Sequence, residues 1–187
     1  HWASERPWLD VVAPLLVSSY AAAERLVGLG RAAVAAGSTT IVLSCSSISG
    51  YAAAMEAALG VPVLRIDEAM ADEAVATGRR IAVIATLPTT LAPTTVLLRE
   101  RAAFAGREVE LTGEVVAGAF EAVVGGDRER HDALVGAAIR AHATTSDVIV
   151  LAQASMAGAA ASAPVDVPVL TSPEPGVRRL AGLLGLG

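Results

Sequence analysis

The sequence has few aromatic residues, a single cysteine and no dense block of basic charge. Aromatic residues make up 3% of the 187 residues, whereas hydrophobic residues make up 53% and are chiefly Ala, Val and Leu. Small side chains let helices pack close to a sheet, so this composition favours layered α/β architecture. A net charge of -5, with no basic stretch interleaved with aromatics, argues against nucleic acid as a partner.

One cysteine excludes an internal disulfide and is typical of a reducing compartment, so we expect a cytoplasmic protein. Every long apolar run is interrupted by a charged residue or by a Gly/Pro break, and no signal-peptide pattern is present. We therefore expect no membrane partner.

Short β-branched runs alternate with Ala-rich amphipathic stretches, the pattern of βαβ units around a parallel sheet. The predicted strands cover 40–44, 62–66, 80–85, 108–111, 148–151 and 167–170. The predicted helices cover 21–36, 49–59, 67–77, 114–124, 127–142 and 156–161, with one more after Pro175. A Thr/Pro-rich stretch, 86–93, is predicted as a loop before a helix that ends at Ala105.

An internal echo is the most informative pattern in the chain. The segment Ile-Val-Leu-Ser-Cys ending at Cys45 recurs as Ile-Val-Leu-Ala-Gln ending at Gln153, and each copy leads through a small-residue helix to Val-Pro-Val-Leu. We interpret this as an internal duplication. The alternative is that any two βαβ units of an Ala/Val-rich chain look alike. A true duplication predicts two related lobes, with Cys45 and Gln153 facing each other across a cleft.

Polar loops leave four of the predicted strand ends, at 44–47, 86–90, 152–155 and 171–173. Ligands of parallel α/β sheets bind outside the carboxyl ends of the strands, and hydroxyls and free N–H groups at helix starts hold carboxylates or phosphates. The candidate anion-binding residues are Ser46, Ser47, Thr86, Thr89, Thr90, Ser155 and Ser172, with Gln153 as an orienting amide.

Cys45 is the candidate catalytic residue. It lies between a strand end and a helix start, where peptide dipoles stabilise a thiolate. The alternative is a small buried hydrophobe, which is common for a free cysteine. His131 and His142 are expected to be solvated surface residues away from the strand ends, and their spacing is not that of metal ligands. Asp67 and Glu68 are expected to cap a helix and to complement its dipole; the alternative is that their side chains reach the cleft.

Four motifs in the order of the chain resemble those of the aspartate/glutamate/hydantoin racemase superfamily. They are Ile-Val-Leu-Ser-Cys45-Ser-Ser, Arg80 to Thr86 followed by Thr89-Thr90, Leu151-Ala-Gln153-Ala-Ser-Met156, and Val-Pro-Val-Leu followed by Thr171-Ser172-Pro173. The resemblance extends over nearly the whole chain from about Ala21 onward.

The resemblance implies two pseudo-symmetric, flavodoxin-like lobes with parallel sheets and an active site between them. The lobes are expected at 1–78 plus 171–187 and at 79–170, and the family's opening strand is expected to be missing from the stretch before Ala21. Members of the family need no cofactor and act on small carboxylates with two cysteines that flank the substrate. A homodimer is expected by the same analogy.

Gln153 stands where the family's second cysteine is expected, which changes the chemistry that the resemblance implies. An amide neither takes nor gives a proton at ordinary pH, so racemisation by two bases is not available. The resemblance then implies a Cys45-dependent isomerase or racemase-like enzyme acting on a small carboxylate. The alternatives are a decarboxylase of the arylmalonate decarboxylase type and a non-catalytic relative that binds carboxylates.

Overall fold

The computed structural model describes residues 19–185, which alternate between helices and strands along the chain. The predicted absence of the opening strand concerns residues outside this range. The helices are α1 (Ser19–Ala35), α2 (Ser46–Ser49), α3 (Ala52–Leu59), α4 (Glu68–Thr77), α5 (Pro88–Phe104), α6 (Ala119–Val124), α7 (Arg128–His142), α8 (Ala157–Ser162) and α9 (Pro173–Leu183). The strands are β1 (Ile41–Leu43), β2 (Val63–Arg65), β3 (Arg80–Ala85), β4 (Glu110–Val115), β5 (Val148–Leu151) and β6 (Val169–Thr171). Within residues 19–185, no helix is both long enough and apolar enough to span a bilayer.

Contacts divide the described chain into two compact units. The first consists of 19–43 and 51–64, and the second of 44–50 and 65–185. In the first unit α1 packs on α3, with Gly30 so close to Leu59 that a methyl group there would overlap the leucine side chain. These boundaries differ from those of the two expected lobes, and the division into lobes stays a prediction.

The second unit is built on a four-stranded parallel sheet with the strand order β4-β3-β5-β6. The two central strands, β3 and β5, are buried along almost their whole length, as continuous apolar runs of parallel sheets are expected to be. Helices α4 and α5 cover one hydrophobic core, and α7 and α8 cover the other. The predicted class, α/β with parallel sheets, is confirmed.

The two copies of the sequence echo fold alike. The N–H of Ile41 donates to the carbonyl of Pro62 at 2.9 Å, and the N–H of Ile149 donates to the carbonyl of Pro168 at the same distance. In each copy the strand pair is joined by a helical crossover, the connection that parallel strands need. The pseudo-symmetry of whole lobes stays a prediction.

The predicted loop at 86–93 is wrong, since α5 begins at Pro88. Proline suits the first helical position because its fixed φ is already helical and its missing N–H would have no partner there. The predicted helix at 114–124 is wrong at its start, because β4 continues to Val115 in register with β3. The predicted helix at 49–59 is divided into α2 and α3 at Gly50 and Tyr51.

The carboxylate of Asp147 joins the amino ends of β3 and β5 through hydrogen bonds. It accepts the N–H groups of Arg79 and Arg80, at 3.0 and 2.8 Å, and two further hydrogen bonds from the Arg80 guanidinium, at 3.0 and 2.6 Å. The hydrogen bonds from the Arg80 side chain, followed by that from its main chain, lower the pKa of Asp147 to about 2.

Replacing Asp147 with Asn tests this contact through its pH dependence. A carboxyl group whose pKa is lower in the folded chain stabilises it above the unfolded value, near 4, and that contribution disappears as the pH falls towards about 2. We expect D147N to unfold at lower denaturant than the native chain at pH 7, and the two midpoints to converge towards pH 2. E110Q, which changes an exposed partner of Arg79, is the control. A difference between D147N and the native chain that does not change with pH would contradict the assignment.

Gly176 allows the first turn of α9 to pack against the main chain just beyond β2. A methyl group at this position would overlap the carbonyl oxygen of Ile66, which cannot move aside like a flexible side chain. We expect G176A to destabilise the fold by about 1–3 kcal/mol, the usual cost of overpacking. At Gly182 in the same helix, an added methyl group would have no neighbouring atom within 4 Å, so G182A should be neutral or stabilising. Equal unfolding free energies for the two variants would show that the close contact is absent.

Candidate functional site

The turn that carries the thiol packs with the second unit, although β1 belongs to the first. Its anchor is the hydroxyl of Ser46, which donates to the carbonyl of Ala152 at 2.9 Å across 106 positions of sequence. The hydroxyl of Ser49 donates back to the carbonyl of Cys45 at 2.9 Å and closes the turn. Because Ser46 follows Cys45 and Ala152 precedes Gln153, this contact places the thiol-bearing turn beside the start of the glutamine loop.

Cys45 and Gln153 have matching backbone positions. Cys45 is the extended residue before α2, and Gln153 is the extended residue before a 3₁₀ turn, Ala154–Met156. Cys45 is partly exposed, so it is not packed in a core as the alternative interpretation proposed. Helix α2 is a single turn, which makes the contribution of its dipole smaller than the sequence suggested.

The amide of Gln153 forms two reciprocal hydrogen bonds with Thr86. Its oxygen accepts the N–H of Thr86 at 2.6 Å, and its nitrogen donates to the Thr86 hydroxyl oxygen at 2.7 Å. These bonds join the loops after β3 and β5 and fix which way the amide faces. Thr86 is buried, and no acceptor for its hydroxyl hydrogen or for the second amide hydrogen of Gln153 is found among residues 19–185, so both groups remain as donors.

The other predicted hydroxyl groups differ in availability. Thr90 is buried and donates to the carbonyl of Leu87 at 3.2 Å, so its hydroxyl, like that of Ser46, stabilises the fold in this conformation. Thr89 is exposed, and Ser47 and Ser155 are half-buried. The role of all these residues in anion binding stays a prediction.

Two long helices begin at this edge without a capping side chain. Leu87 precedes α5 and Ser172, which is buried, precedes α9; neither makes a side-chain hydrogen bond to its helix. The first N–H groups of a helix have no intrahelical acceptor, and they attract anions together with the dipole. Because Pro88 has no N–H, the first main-chain donor within α5 is the N–H of Thr89.

Asp67 does not cap α4, contrary to the expectation from sequence. It occupies the position before the helix but makes no capping hydrogen bond, and its fully buried carboxylate accepts the Nε and Nη2 of Arg65 at 3.1 and 3.3 Å. Glu68 pairs with Arg101 and Arg179 on neighbouring helices rather than capping α4. Arg65 was not among the residues predicted from sequence, although the Arg-x-Asp spacing across the strand end indicates such a pair.

The expectation that His131 is solvated is wrong. His131 is completely buried, with Nδ1 2.8 Å from an oxygen of Asp132. Helix α7 also starts at the carboxyl end of β5, since the Arg128 guanidinium donates to the carbonyl of Ser155 at 2.6 Å. His142 is half-buried, with Nε2 2.7 Å from an oxygen of Glu114.

The family model described as Asp/Glu/hydantoin racemase matches residues 12–180. The chain is a member of the Asp/Glu/hydantoin racemase family. Among curated proteins, no sequence matches this family member. The expected resemblance to the racemase superfamily is therefore confirmed at the level of the family.

Solved structures similar to this racemase-family chain include three enzymes. A glutamate racemase from Bacillus anthracis has a TM-score of 0.62 at 18% identity, over 79% of this chain and 58% of that protein. Arylmalonate decarboxylase has a TM-score of 0.64 at 21% identity, over 91% of this chain and 79% of that one. An allantoin racemase from Klebsiella pneumoniae has a TM-score of 0.60 at 26% identity, over 89% and 67% of the two chains. The chain thus spans little more than half the length of the Bacillus anthracis protein.

Replacing Ser46 with Ala tests the anchor of the thiol-bearing turn in this racemase-family chain. The change leaves the carbonyl of Ala152 without its buried donor, which typically costs about 1–3 kcal/mol. We expect a lower unfolding free energy and a changed rate of Cys45 alkylation, because the turn loses its fixed position. S47A is the matched control, since no hydrogen bond of its hydroxyl is seen within residues 19–185. Identical alkylation rates and stabilities for S46A and S47A would contradict the anchor.

Proposed function

We propose that this chain is a cofactor-independent enzyme of the isomerase or racemase-like kind, acting on a small carboxylate with Cys45 as the acid–base or nucleophilic residue. The observation that carries the proposal is the Ser46–Ala152 hydrogen bond, which sets the partly exposed thiol beside the Gln153 loop. Membership of the Asp/Glu/hydantoin racemase family supports the reaction class.

The substrate carboxylate would be held by neutral donors. The Thr86 hydroxyl and the second N–H of Gln153 remain available after their reciprocal pairing, and the uncapped start of α5 adds the N–H of Thr89. Such fixed donors bind a carboxylate and also stabilise the charge that develops when its α-carbon loses a proton. No charged side chain is needed for this part of the site.

Proton transfer would then occur on one face of the substrate. The Cys45 thiolate removes the α-proton, the electron pair moves into an enediolate, and the same thiol returns a proton to the same face. On the other face the Gln153 amide has no proton to give. This asymmetry predicts exchange of the α-hydrogen with solvent and disfavours inversion by two bases. A thiolate that instead adds to a substrate double bond would permit rotation before it leaves, which is an isomerisation.

Decarboxylation is the second candidate, and the single acid–base group favours it. Cleavage of the bond between the α-carbon and a carboxylate leaves the electron pair on carbon, carbon dioxide departs, and the Cys45 thiol supplies one proton. The thiolate then regains a proton from solvent. Loss of catalysis with retained carboxylate binding is the third possibility that the sequence raises.

The decisive experiment compares the native chain with C45A and C45S on a panel of small mono- and dicarboxylates in heavy water. Deuterium at the α-carbon indicates proton transfer, an altered isomer indicates isomerisation, and carbon dioxide release from substituted malonates indicates decarboxylation. We expect C45A to lose about 10²–10⁴-fold of the native rate while its fold is unchanged, because it lacks the proton-transferring group. C45S should retain the shape of the site and little of the rate.

Control measurements distinguish a loss of catalysis from a loss of folding. Far-UV circular dichroism and unfolding midpoints should coincide for all three proteins, since Cys45 makes no side-chain hydrogen bond within the described part of the chain. Full turnover by C45A would refute the assignment of the thiol. Carboxylate binding by the native chain without turnover of any compound would favour the non-catalytic alternative.

A further inference from the structure

The carboxyl ends of α4 and α5 enclose an open cavity that the proposed reaction does not use. Its volume is about 260 Å³, and its lining is largely apolar, with Val75 and Ala76 from α4 and Phe104 and Ala105 from α5. The two helices end just before β3 and β4 begin. The cavity therefore lies at the amino ends of these strands, at the opposite edge of the sheet from the thiol-bearing turn.

The ring of Phe104 stands in solvent at the edge of this cavity. With 82% of its surface exposed, it is the most exposed large hydrophobic side chain within residues 19–185, in a chain that has only two phenylalanines. The Arg101 guanidinium lies over the ring, 4.9 Å from its centroid, and is itself held by ion pairs with Glu68 and Asp72. Because this cation–π contact already orders the ring, fixing it against a partner costs little further entropy.

The exposed ring and the cavity are complementary in shape and chemistry. A single exposed hydrophobic side chain needs no explanation, but an aromatic ring that enters an apolar pocket is the usual anchor of a protein interface. An apolar cavity of about 150 Å³ is enough to hold benzene, so this cavity has room for a second phenylalanine ring. Since ring and cavity belong to the same surface, two copies related by a two-fold axis can each fill the cavity of the other.

The charges around the cavity also suit a second copy of the same surface. Arg107, which lines the cavity, and Glu73, one helical turn before Ala76, are both exposed, and neither side chain forms an ion pair among residues 19–185. A two-fold axis brings Arg107 of each copy towards Glu73 of the other. A patch of one sign would instead repel its own copy.

We propose that this surface joins two copies of the chain across a two-fold axis, with the Phe104 ring of each copy in the cavity of the other. The interface covers the amino ends of β3 and β4 and leaves free the carboxyl ends, where the carboxylate site is proposed. The two rings meet at the axis, since each ring also lines its own cavity. This inference does not depend on the proposed function.

Sedimentation velocity over a wide range of protein concentration tests the interface. We expect the native chain to form dimers and F104E to dissociate at about 100-fold or more higher concentration, because each dimer loses the aromatic anchor twice. V124E is the matched control: Val124 is an exposed apolar residue of α6 outside the cavity lining, so its dimers should be as strong as those of the native chain. Both substitutions are at exposed side chains and should leave the circular dichroism spectrum unchanged.

Cross-linking through an engineered thiol provides a test that keeps the Phe104 ring. Because the native chain has one cysteine, the variants C45S/A105C and C45S/A137C each carry a single thiol. Ala105 lines the cavity, whereas Ala137 is exposed on α7 outside the cavity lining. We expect a short bismaleimide to join two copies of C45S/A105C efficiently and to leave C45S/A137C almost entirely uncoupled.

Three results would overturn the proposal. The first is a native chain that stays monomeric at every concentration, which would leave the cavity to some other occupant. The second is F104E dimers as strong as those of the native chain, or equal loss of dimers in F104E and V124E. The third is equal cross-linking of the two single-thiol variants. Because no measurement here involves turnover or carboxylate binding, none of these results bears on the proposed function.

Discussion

The hydrogen bond from Ser46 to the carbonyl of Ala152 determines where the only thiol of this chain lies. The turn around Cys45 has little stability of its own, because a four-residue helix is far shorter than the dozen or more residues that an isolated helix needs. It is held by tertiary contacts with the loop after β5 and with α5. Although the chain enters this turn from β1, its contacts assign it to the second unit.

The hydrogen bonds between Gln153 and Thr86 fix the loop after β5 in a similar way. The main-chain N–H of Thr86 can be accepted only by the amide oxygen, so the two reciprocal hydrogen bonds leave the amide with one orientation. A fixed orientation matters in a site of neutral donors, because the geometry of the donors and not a net charge selects the bound group. The same pair uses half of the hydrogen-bonding positions of the glutamine amide, one acceptor position and one of its two N–H donors.

Local patterns predicted the central strands and the echo well. The runs at 80–85 and 148–151 are continuous, apolar and β-branched, and both strands have these bounds in the structure. Sequence patterns gave a wrong prediction where the same residues are compatible with two kinds of secondary structure. The Thr/Pro-rich stretch at 86–93 suggests a loop by composition, yet Pro88 starts a 17-residue helix and Pro93 is tolerated inside it at the loss of one main-chain hydrogen bond.

Sequence patterns did not predict the burial of three polar side chains. His131 follows a run of four charged residues that suggests a solvated helix start, but it shares the spacing of Val135 and Ile139 and so faces the core with them. Arg65 and Asp67 flank a strand end where either could extend into solvent, and only the tertiary fold buries both. The sequence gives the spacing of such residues, whereas their burial depends on which helices and strands pack over them.

The two copies of the sequence echo have similar backbones but different side-chain chemistry. They share one main-chain hydrogen bond between their strands and the extended residue before each turn, yet their polar groups differ in kind. The first copy carries the thiol of Cys45 and the cation of Arg65, and the second has the neutral Gln153 and Thr171 at the equivalent positions. In the proposed reaction the first copy therefore supplies proton transfer, and the second supplies fixed neutral donors. Two copies that are alike in backbone and different in chemistry favour reactions that need a reactive group on one face of the substrate only.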